Sequence, residues 1–454
     1  MTYIVAISAY LVLLTIFGLI VARKKVKTSD DMVTGGHRIP FIILVGTLLA
    51  TWCGGGGITG SASVVYTGGP WVGLITFAAP PIGIILLYFI AGKVRKSNKV
   101  TVPEIMGARY GKAASIIAAL CVMLAYVGVL ATQLKAAADI IVLLCASSGI
   151  EISHGLALTI CTALIAIITV GGGLVSVAYS DAISALLMIG GFFLAIPFLI
   201  GVANSQGATL PPEKMTITGG MSGWELLGYF LPSLALMLGD QNMLQRFASA
   251  KNSDEAKKSN IGMFIGEILV IISIVLVVTQ AAKLYPTLDV PSNVIFQVAV
   301  DYLPLAFGAL VMCACMAFIV TTADSYLLVS VQTCVHDIGK TIRPQMPERT
   351  EISLSRIFSI VLPLGALVIA LYIHNAYNIL MFAWSFYAAS AGIPAFAALF
   401  WKKATKTGVM AGLLGGFVVC VGWKLAGQPF GLGAAVPGTV ACGIALVVVS
   451  LATY

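Results

Sequence analysis

The stretch IPFIILVGTLLATWCGGGGITGSASVVY, residues 39–66, decides the fold class of this chain. It is apolar and long enough to cross about 30 Å of bilayer hydrocarbon, yet Gly54–Gly57 interrupt it with four consecutive glycines. Each glycine costs about 1 kcal/mol in helical preference. The run predicts an unwound segment, which lipid tolerates only where the freed backbone groups line a cavity enclosed by protein.

Close helix packing through small residues is the alternative interpretation, and Gly60 and Ser61 suit that role. Packing motifs space small residues four apart, so four in a row favour unwinding. The carbonyls of Ala50 to Cys53 would then suit a hard cation such as Na⁺. The amides after the break, at the N-terminus of a half-helix, would suit an anionic group of a solute.

Composition places the whole chain in a membrane. Of its 454 residues, 59% are hydrophobic and 10% charged, against about 45–50% and 25% in soluble domains. These values exclude a free soluble enzyme, a secreted disulfide scaffold and a disordered chain. We expect one all-α integral membrane domain, residues 1–454.

Apolar runs predict thirteen transmembrane helices, since backbone groups in lipid must be satisfied within the segment. The first run lacks the features of a cleaved signal peptide, so we expect it to be retained. The predicted spans are 4–22, 40–66, 70–92, 114–146, 154–171, 176–202, 223–244, 260–284, 303–335, 354–373, 376–400, 408–425 and 432–452.

The basic residues follow a topological pattern. All 26 Lys and Arg except Lys135, Lys214, Lys283 and Lys424 come after odd-numbered spans. The positive-inside rule then predicts the N-terminus outside and the C-terminus in the cytoplasm, in the cell (inner) membrane. The net charge of +8 is accounted for by topology, so no nucleic-acid partner is expected.

A second interrupted helix is predicted in GWELLGYFLPSLALMLGDQNMLQRF, residues 223–247, which carries Pro232 and Gly239. It lies five spans after the first. Interrupted helices in matching positions of two halves indicate a carrier built from inverted repeats. The repeats would be 40–202 and 223–400, with 4–22 before them and 408–452 after.

Ionisable residues inside membrane helices are candidates for function by default. Lys135 lies next to Gln133 and four residues before Asp139. Two interpretations stay open: a helix-internal ion pair, or a Lys135 that faces a solute carboxylate. Glu267 stays unassigned.

Asp181 and Asp324 are further intramembrane acids, and Asp324 has the neighbours Thr321, Thr322 and Ser325. Four oxygen-bearing side chains within five residues are typical of cation ligation. Hydroxyls bonded back to the preceding helical turn would explain one or two of them.

Motifs for nucleotide hydrolysis are missing from the sequence. The glycine run stands inside a membrane helix, the wrong context for a phosphate loop. Nine scattered cysteines and four histidines show no metal-ligand spacing. We therefore expect that the protein is not an enzyme. Any uphill transport would take its energy from an ion gradient, unless the protein transports passively.

Five stretches together resemble the sodium:solute symporter family. They are ATWCGGGGITGSASVVYTGG (50–69), GGLVSVAYSDAISALLMI (172–189), GDQNMLQRFASAKN (239–252), VTTADSYLLVS (320–330) and FWKKATKTGVMAGLLGG (400–416). The resemblance implies a leucine-transporter-type fold of five-plus-five inverted repeats. It also implies a principal sodium site at Ala50, Cys53, Phe318, Thr321 and Thr322.

Some members of the family bind a second sodium, and the resemblance maps that site to Asp181 and Ser325 with Thr321 nearby. Asp324 stands where such members have a hydroxyl, so the second cation site, Asp181, Asp324 and Ser325, departs from the family pattern.

The resemblance also implies solute contacts on four helices, to which the reasoning above adds Lys135. The set is Trp52, Gly54, Gly55, Gly57, Gln133, Lys135, Asp240, Gln241, Trp384 and Tyr387. The TWCGGG motif looks closest to choline carriers, but Gly128, Ile84 and Asp240 stand where further cage aromatics would be needed.

We therefore expect a sodium-coupled symporter with one chain as the functional unit. The first choice of solute bears a carboxylate, as a monocarboxylate or an amino acid. A proton-coupled carrier of the same fold and a symporter for choline, other quaternary amines or sugars are the alternatives. A solute sensor without transport is less favoured.

Overall fold

The computed structural model describes residues 2–25, 34–97, 99–171, 173–372 and 376–454. These ranges are helical, and their only strand-like pairing is a single bridge between Ile39 and Ala250. The expected all-α class is confirmed.

Twenty helices, numbered in chain order, make up the described chain, with short 3₁₀ turns between some of them. Their bounds are α1 Thr2–Lys25, α2 Phe41–Trp52, α3 Gly55–Gly68, α4 Pro70–Thr76, α5 Ala79–Ser97, α6 Val102–Tyr110, α7 Lys112–Ser147, α8 His154–Gly171, α9 Leu174–Ser205, α10 Gly223–Gly239, α11 Gln241–Ala248, α12 Ser253–Leu284, α13 Val294–Asp301, α14 Leu305–Gln332, α15 Lys340–Ile342, α16 Glu348–Tyr372, α17 Ala376–Tyr387, α18 Ile393–Phe400, α19 Lys406–Leu425 and α20 Ala435–Thr453. One π-helical turn, Thr333–Gly339, joins α14 to α15, and another, Ala388–Gly392, joins α17 to α18.

Ten helices in the described residues are long and apolar enough to cross a membrane, and α2 with α3 makes an eleventh span if the bent pair counts as one. The two other predicted spans coincide with α8 and with the pair α10–α11. The apolar part of α8 is short, His154–Val170, and the longer helix of the second pair has 17 residues. The count of thirteen crossings, and the division into repeats 40–202 and 223–400, stay predictions.

The first predicted interruption is present. Helix α2 ends at Trp52, Gly54 has a non-helical ψ of −179°, and α3 begins at Gly55. The segments Phe41–Trp52 and Gly57–Gly68 meet at 56°. The break is narrower than Gly54–Gly57, because the Ile58 amide already donates to the Gly54 carbonyl at 2.9 Å.

The second interruption lies at Asp240, whose ψ of 119° separates α10 from α11. Pro232 lies inside α10 and does not end it. Gly239 is required by close packing, since a Cβ there would come within 2.8 Å of the Gly392 Cα. Both predicted interruptions are therefore present, at Gly54 and at Asp240; that they match between two repeats stays a prediction.

The broken helices lie inside the bundle. Helix α9 packs on α2 and α14, and α12 packs on α2, α3 and α5. The start of the first broken helix meets the end of the second: His37 Nδ1 lies 2.6 Å from the Ala248 carbonyl oxygen, and Arg95 donates to the Ala250 carbonyl at 2.6 Å. These contacts join the segment before α2 and the end of α5 to the residues at and just after the end of α11.

Candidate ion and solute sites

The first break faces α14 at Thr322. The Thr322 Oγ1 donates to the Ala50 carbonyl at 2.9 Å, and a Cβ on Gly54 would lie 2.4 Å from the Thr322 Cγ2. Glycine at position 54 is thus needed for this approach. The neighbouring Thr321 hydroxyl is buried and has no hydrogen-bond partner in the described part of the chain, so it is free to ligate a cation.

Two further residues of the predicted sodium site lie next to this contact. Cys53 directly follows α2, and its thiol donates to Glu267 Oε2 at 3.0 Å. Phe318 lies one helical turn before Thr322 on α14, with its side chain fully buried. The structure thus brings α2 and α14 together at the predicted position, with Ala50 and Thr322 in direct contact.

A buried ion pair joins the second broken helix to α9, and a hydrogen bond to Thr47 extends this contact to α2. Arg246 on α11 donates to Asp181 Oδ2 at 3.4 Å, to Ser325 Oγ at 2.8 Å and to Thr47 Oγ1 at 2.9 Å. Thr47 in turn donates to Asp181 Oδ2 at 2.5 Å. Arg246 and Asp181 are completely buried. Two of the three residues predicted to bind a second cation are therefore already bound to a guanidinium.

Asp324 adds a second acidic side chain to this region. Arg246 pairs with Asp181, and Asp324 forms no salt bridge among the described residues. Asp324 Oδ1, Asp181 Oδ1 and Thr321 Oγ1 are buried without partners in the same part of the chain. Thr321 and Asp324 also line a crevice with Ser176 and Ser180. Buried oxygens without protein partners suit a hard cation.

A separate cavity lies beside the first break. Trp52 and Trp384 stack along one side of it, with ring centroids 5.4 Å apart. Its remaining lining is mostly apolar, with one carboxyl group: Cys53, Gly57, Ser61, Thr76, Phe77, Pro80, Tyr229, Ser233, Glu267, Val270, Ile271, Ile274, Leu380 and Met381. Trp52, Gly57 and Trp384 were predicted to contact solute, and Gly54 and Gly55 adjoin them in the chain.

Asp240, Gln241 and Tyr387 lie outside the lining of this cavity. Asp240 Oδ1 accepts from the Tyr126 hydroxyl at 2.8 Å and caps α11 through the Asn242 amide at 2.7 Å. Tyr387 donates to the Gly239 carbonyl at 2.6 Å, and Gln241 donates to Thr333 Oγ1 at 2.9 Å. Tyr126 stacks on Tyr387 and contacts Tyr326 edge to face. These residues form a closed layer around the second break.

Gln133 and Lys135 also lie outside the cavity lining. Gln133 is buried and donates to Thr132 Oγ1 at 3.3 Å. Asp139 pairs with His154 at 2.7 Å, so the predicted alternative of a Lys135–Asp139 pair is not formed. The carboxylate-binding role of Lys135 has no support from its position.

A second, more polar cavity adjoins the first, and Tyr229 and Met381 line both. It contains Glu225, Lys424 and Gln428 and lies at the end of the bundle opposite to the contact between Arg95 and Ala250. The polar cavity therefore adjoins the Trp52 cavity at this end of the bundle, and that this end faces the outside stays a prediction.

Sequence reasoning missed two central residues. Glu267 lines the cavity, and its position in the middle of an apolar helix was the available signal. Arg246 was counted only as a topological charge after span seven. Since α11 continues to Ala248, this arginine is buried. Its position within two residues of the predicted span could have indicated an intramembrane partner for Asp181.

Comparison with known families decides the class. The model of the sodium:solute symporter family matches residues 32–416, most of the chain. The chain belongs to the sodium:solute symporter family. The family resemblance inferred from the five sequence stretches is therefore confirmed.

Curated relatives include symporters for different solutes. The chain is 24% identical to the sodium/proline symporter of Haemophilus influenzae (93% of this chain, 89% of the relative) and 27% identical to the sodium/pantothenate symporter of Escherichia coli (81% and 78%). It is 25% identical to high-affinity choline transporter 1 of Drosophila melanogaster, over 83% of this chain. The chain spans 63% of the length of that choline transporter.

Solved structures share the fold. A Na⁺-coupled sialic acid symporter in its substrate-bound outward-open state matches with a TM-score of 0.81 at 17% identity, over 100% of this chain and 98% of that one. A nucleobase-cation-symport-1 family transporter, Mhp1, matches with a TM-score of 0.62 at 11% identity, over 94% and 96%. The fold is therefore that of leucine-transporter-type carriers, as expected.

Proposed function

We propose that this protein is a sodium-coupled symporter that imports a small organic solute by alternating access. The observation that carries the proposal is the contact of Thr322 with the Ala50 carbonyl at the break of the first core helix, 2.9 Å long. Family membership supports the same coupling ion. Na⁺ would be bound by oxygens of Ala50, Cys53, Phe318, Thr321 and Thr322.

Sodium at this position would join α2 to α14 and hold the cavity around Trp52 in its outward-facing arrangement. Movement of one repeat against the other would then open the tyrosine layer and release both solutes to the cytoplasm. A membrane potential of 100 mV supplies about 2.3 kcal/mol for each charge moved. That energy supports about fifty-fold accumulation of solute for each sodium ion.

The second predicted cation site, Asp181, Asp324 and Ser325, bears on the number of sodium ions per cycle and on the choice of coupling ion. Arg246 holds Asp181 and Ser325, which favours one sodium per cycle over two. Asp324 would be the carrier in the proton-coupled alternative, since its Oδ1 is buried without a partner in the described chain. Uptake driven by a pH gradient without Na⁺ would select that alternative.

For the solute, the N-terminus of α3 supports a carboxylate, because α3 begins at Gly55 and Gly57 lines the cavity. Of the two carboxylate classes expected from the sequence, an amino acid is better supported than a monocarboxylate, because Glu267 also lines the cavity. Choline-type amines remain the second candidate, since Trp52 and Trp384 offer aromatic faces to a quaternary ammonium.

The orientation we propose places the N-terminus outside and the C-terminus in the cytoplasm of the cell membrane, with one chain as the transport unit. The distribution of basic residues supports this orientation.

Purified protein in proteoliposomes tests the function directly. We expect an inward Na⁺ gradient to drive uptake of at least one solute from a panel of amino acids, monocarboxylates, sugars and quaternary amines. Uptake that is equal with K⁺ in place of Na⁺ would contradict the proposal.

A further inference from the structure

The cavity beside the first break holds one buried carboxyl group, Glu267, in the middle of α12. Its side chain is 3% exposed. The Cys53 thiol donates to Glu267 Oε2 at 3.0 Å. This partner is a neutral donor, so it brings no compensating charge to the carboxyl group.

No lysine, arginine or histidine among the described residues lines this cavity. Arg246 already pairs with Asp181 in the network on α9, α11 and α14, and Lys135 lies outside the cavity. A buried carboxylate without a cation is unfavourable, and either a bound proton or a positively charged ligand removes that cost. The cavity therefore suits a ligand that brings a positive charge to Glu267.

The walls of the cavity suit the same ligand. Trp52 and Trp384 stack with an interplanar angle of 14° and line the same cavity as Glu267. Indole faces attract ammonium groups. The Trp384 indole N–H is buried and has no partner in the described chain. An acceptor atom of the ligand would satisfy this N–H donor. A purely cationic ligand has no such acceptor.

We propose that the transported solute is a small zwitterion, an amino acid or a betaine, whose charged nitrogen pairs with Glu267 and whose carboxylate lies between the α3 N-terminus and Trp384. This inference rests on the proposed symport function. Val270, Ile271 and Leu380 would pack on its apolar part. Glu267 is then the residue that rejects monocarboxylates, because a second carboxylate would be repelled.

The test measures Na⁺-driven uptake into proteoliposomes of four probes: L-proline, glycine betaine, lactate and choline. The variants are Glu267→Gln, Glu267→Asp and Trp384→Phe. Asp254→Asn is the matched control, since it removes one carboxylate from an exposed position in the first turn of the same helix.

We expect the wild type to take up at least one of the two zwitterions in preference to lactate and choline. Glu267→Gln should raise the KM for that zwitterion at least tenfold, Glu267→Asp should keep part of the affinity, and Asp254→Asn should change it less than twofold. Trp384→Phe keeps an aromatic ring, though a smaller one, and removes the indole N–H donor, so it should also raise the KM.

Stabilisation by Na⁺, measured as the rise in Tm of detergent-solubilised protein, separates this inference from the proposed function. If Na⁺ raises the Tm of the wild type and of Glu267→Gln equally, the variant is folded and the sodium site intact. An unchanged zwitterion KM in that variant, or preferred uptake of lactate or choline by the wild type, would then overturn the inference alone. If Na⁺ neither raises the Tm nor drives uptake in the wild type, the symport function itself fails.

Discussion

Replacement of Thr322 by alanine is the sharpest test of the sodium site. Thr322 is 1% exposed, and its hydroxyl is bonded to the Ala50 carbonyl at 2.9 Å. The variant removes this hydrogen bond and, in the proposed site, one of five ligands to Na⁺. A hydrogen bond to a charged group contributes about 1.5–3 kcal/mol. A ligand of that strength corresponds to about a 10- to 100-fold loss of sodium affinity.

The assay is the Na⁺ concentration that gives half-maximal uptake in proteoliposomes, at a fixed concentration of solute. Thr322→Ala should raise it by about 10- to 100-fold, while Thr322→Ser, which keeps the hydroxyl, should stay close to the wild type. A half-saturating Na⁺ concentration within twofold of the wild type in Thr322→Ala would refute the assignment of this side chain.

Three further predictions concern packing, the buried ion pair and topology. Gly54→Ala should lower the Tm, because overpacking costs about 1–3 kcal/mol. Gly57→Ala should not lower it, because the added Cβ would have its nearest contact at an ordinary 3.7 Å. Equal Tm values for the two variants would contradict the close approach of Gly54 to Thr322. Arg246→Gln should destabilise the protein by about 3–5 kcal/mol, and adding Asp181→Asn should recover part of that loss. If the effects of the two substitutions on thermal unfolding simply add, the ion pair between these residues is contradicted. In Lys403→Cys, the new cysteine should react with membrane-impermeant maleimide only from the cytoplasmic side. Labelling of this cysteine in intact cells would contradict the proposed orientation.

The position of the first break could be predicted because four glycines weaken a helix wherever they occur. Its extent could not. The amide of Ile58 donates to the Gly54 carbonyl, so the helix resumes at once. Packing inside the bundle outweighs the low helical preference of the last three glycines.

The sequence predicted least well which face of each helix lines the cavity. Gln133 and Lys135 are separated by Leu134 in the sequence, and residues at i and i+2 do not share a helix face. Glu267 lies in an apolar part of α12, and the rotation of this helix is set by packing against its neighbours, which include α2, α5 and α9. Hydropathy alone does not fix that rotation.

The residues of the second break illustrate the same limit. Family resemblance indicated Asp240 and Gln241 as solute contacts, but the turn after Gly239 directs Asp240 to Tyr126 and to the N-terminus of α11. A helix N-terminus offers amides that attract a carboxylate. The capping interaction therefore competes with solute for Asp240.

Solute-induced current on supported membranes tests the central claim of sodium-coupled transport most directly. A rapid jump in concentration of the transported solute should produce an inward positive current in Na⁺ buffer and none in K⁺ buffer at the same pH, because each cycle carries Na⁺ with a solute of no net charge. A current of equal size without Na⁺, abolished instead by removal of the pH gradient, would contradict the account.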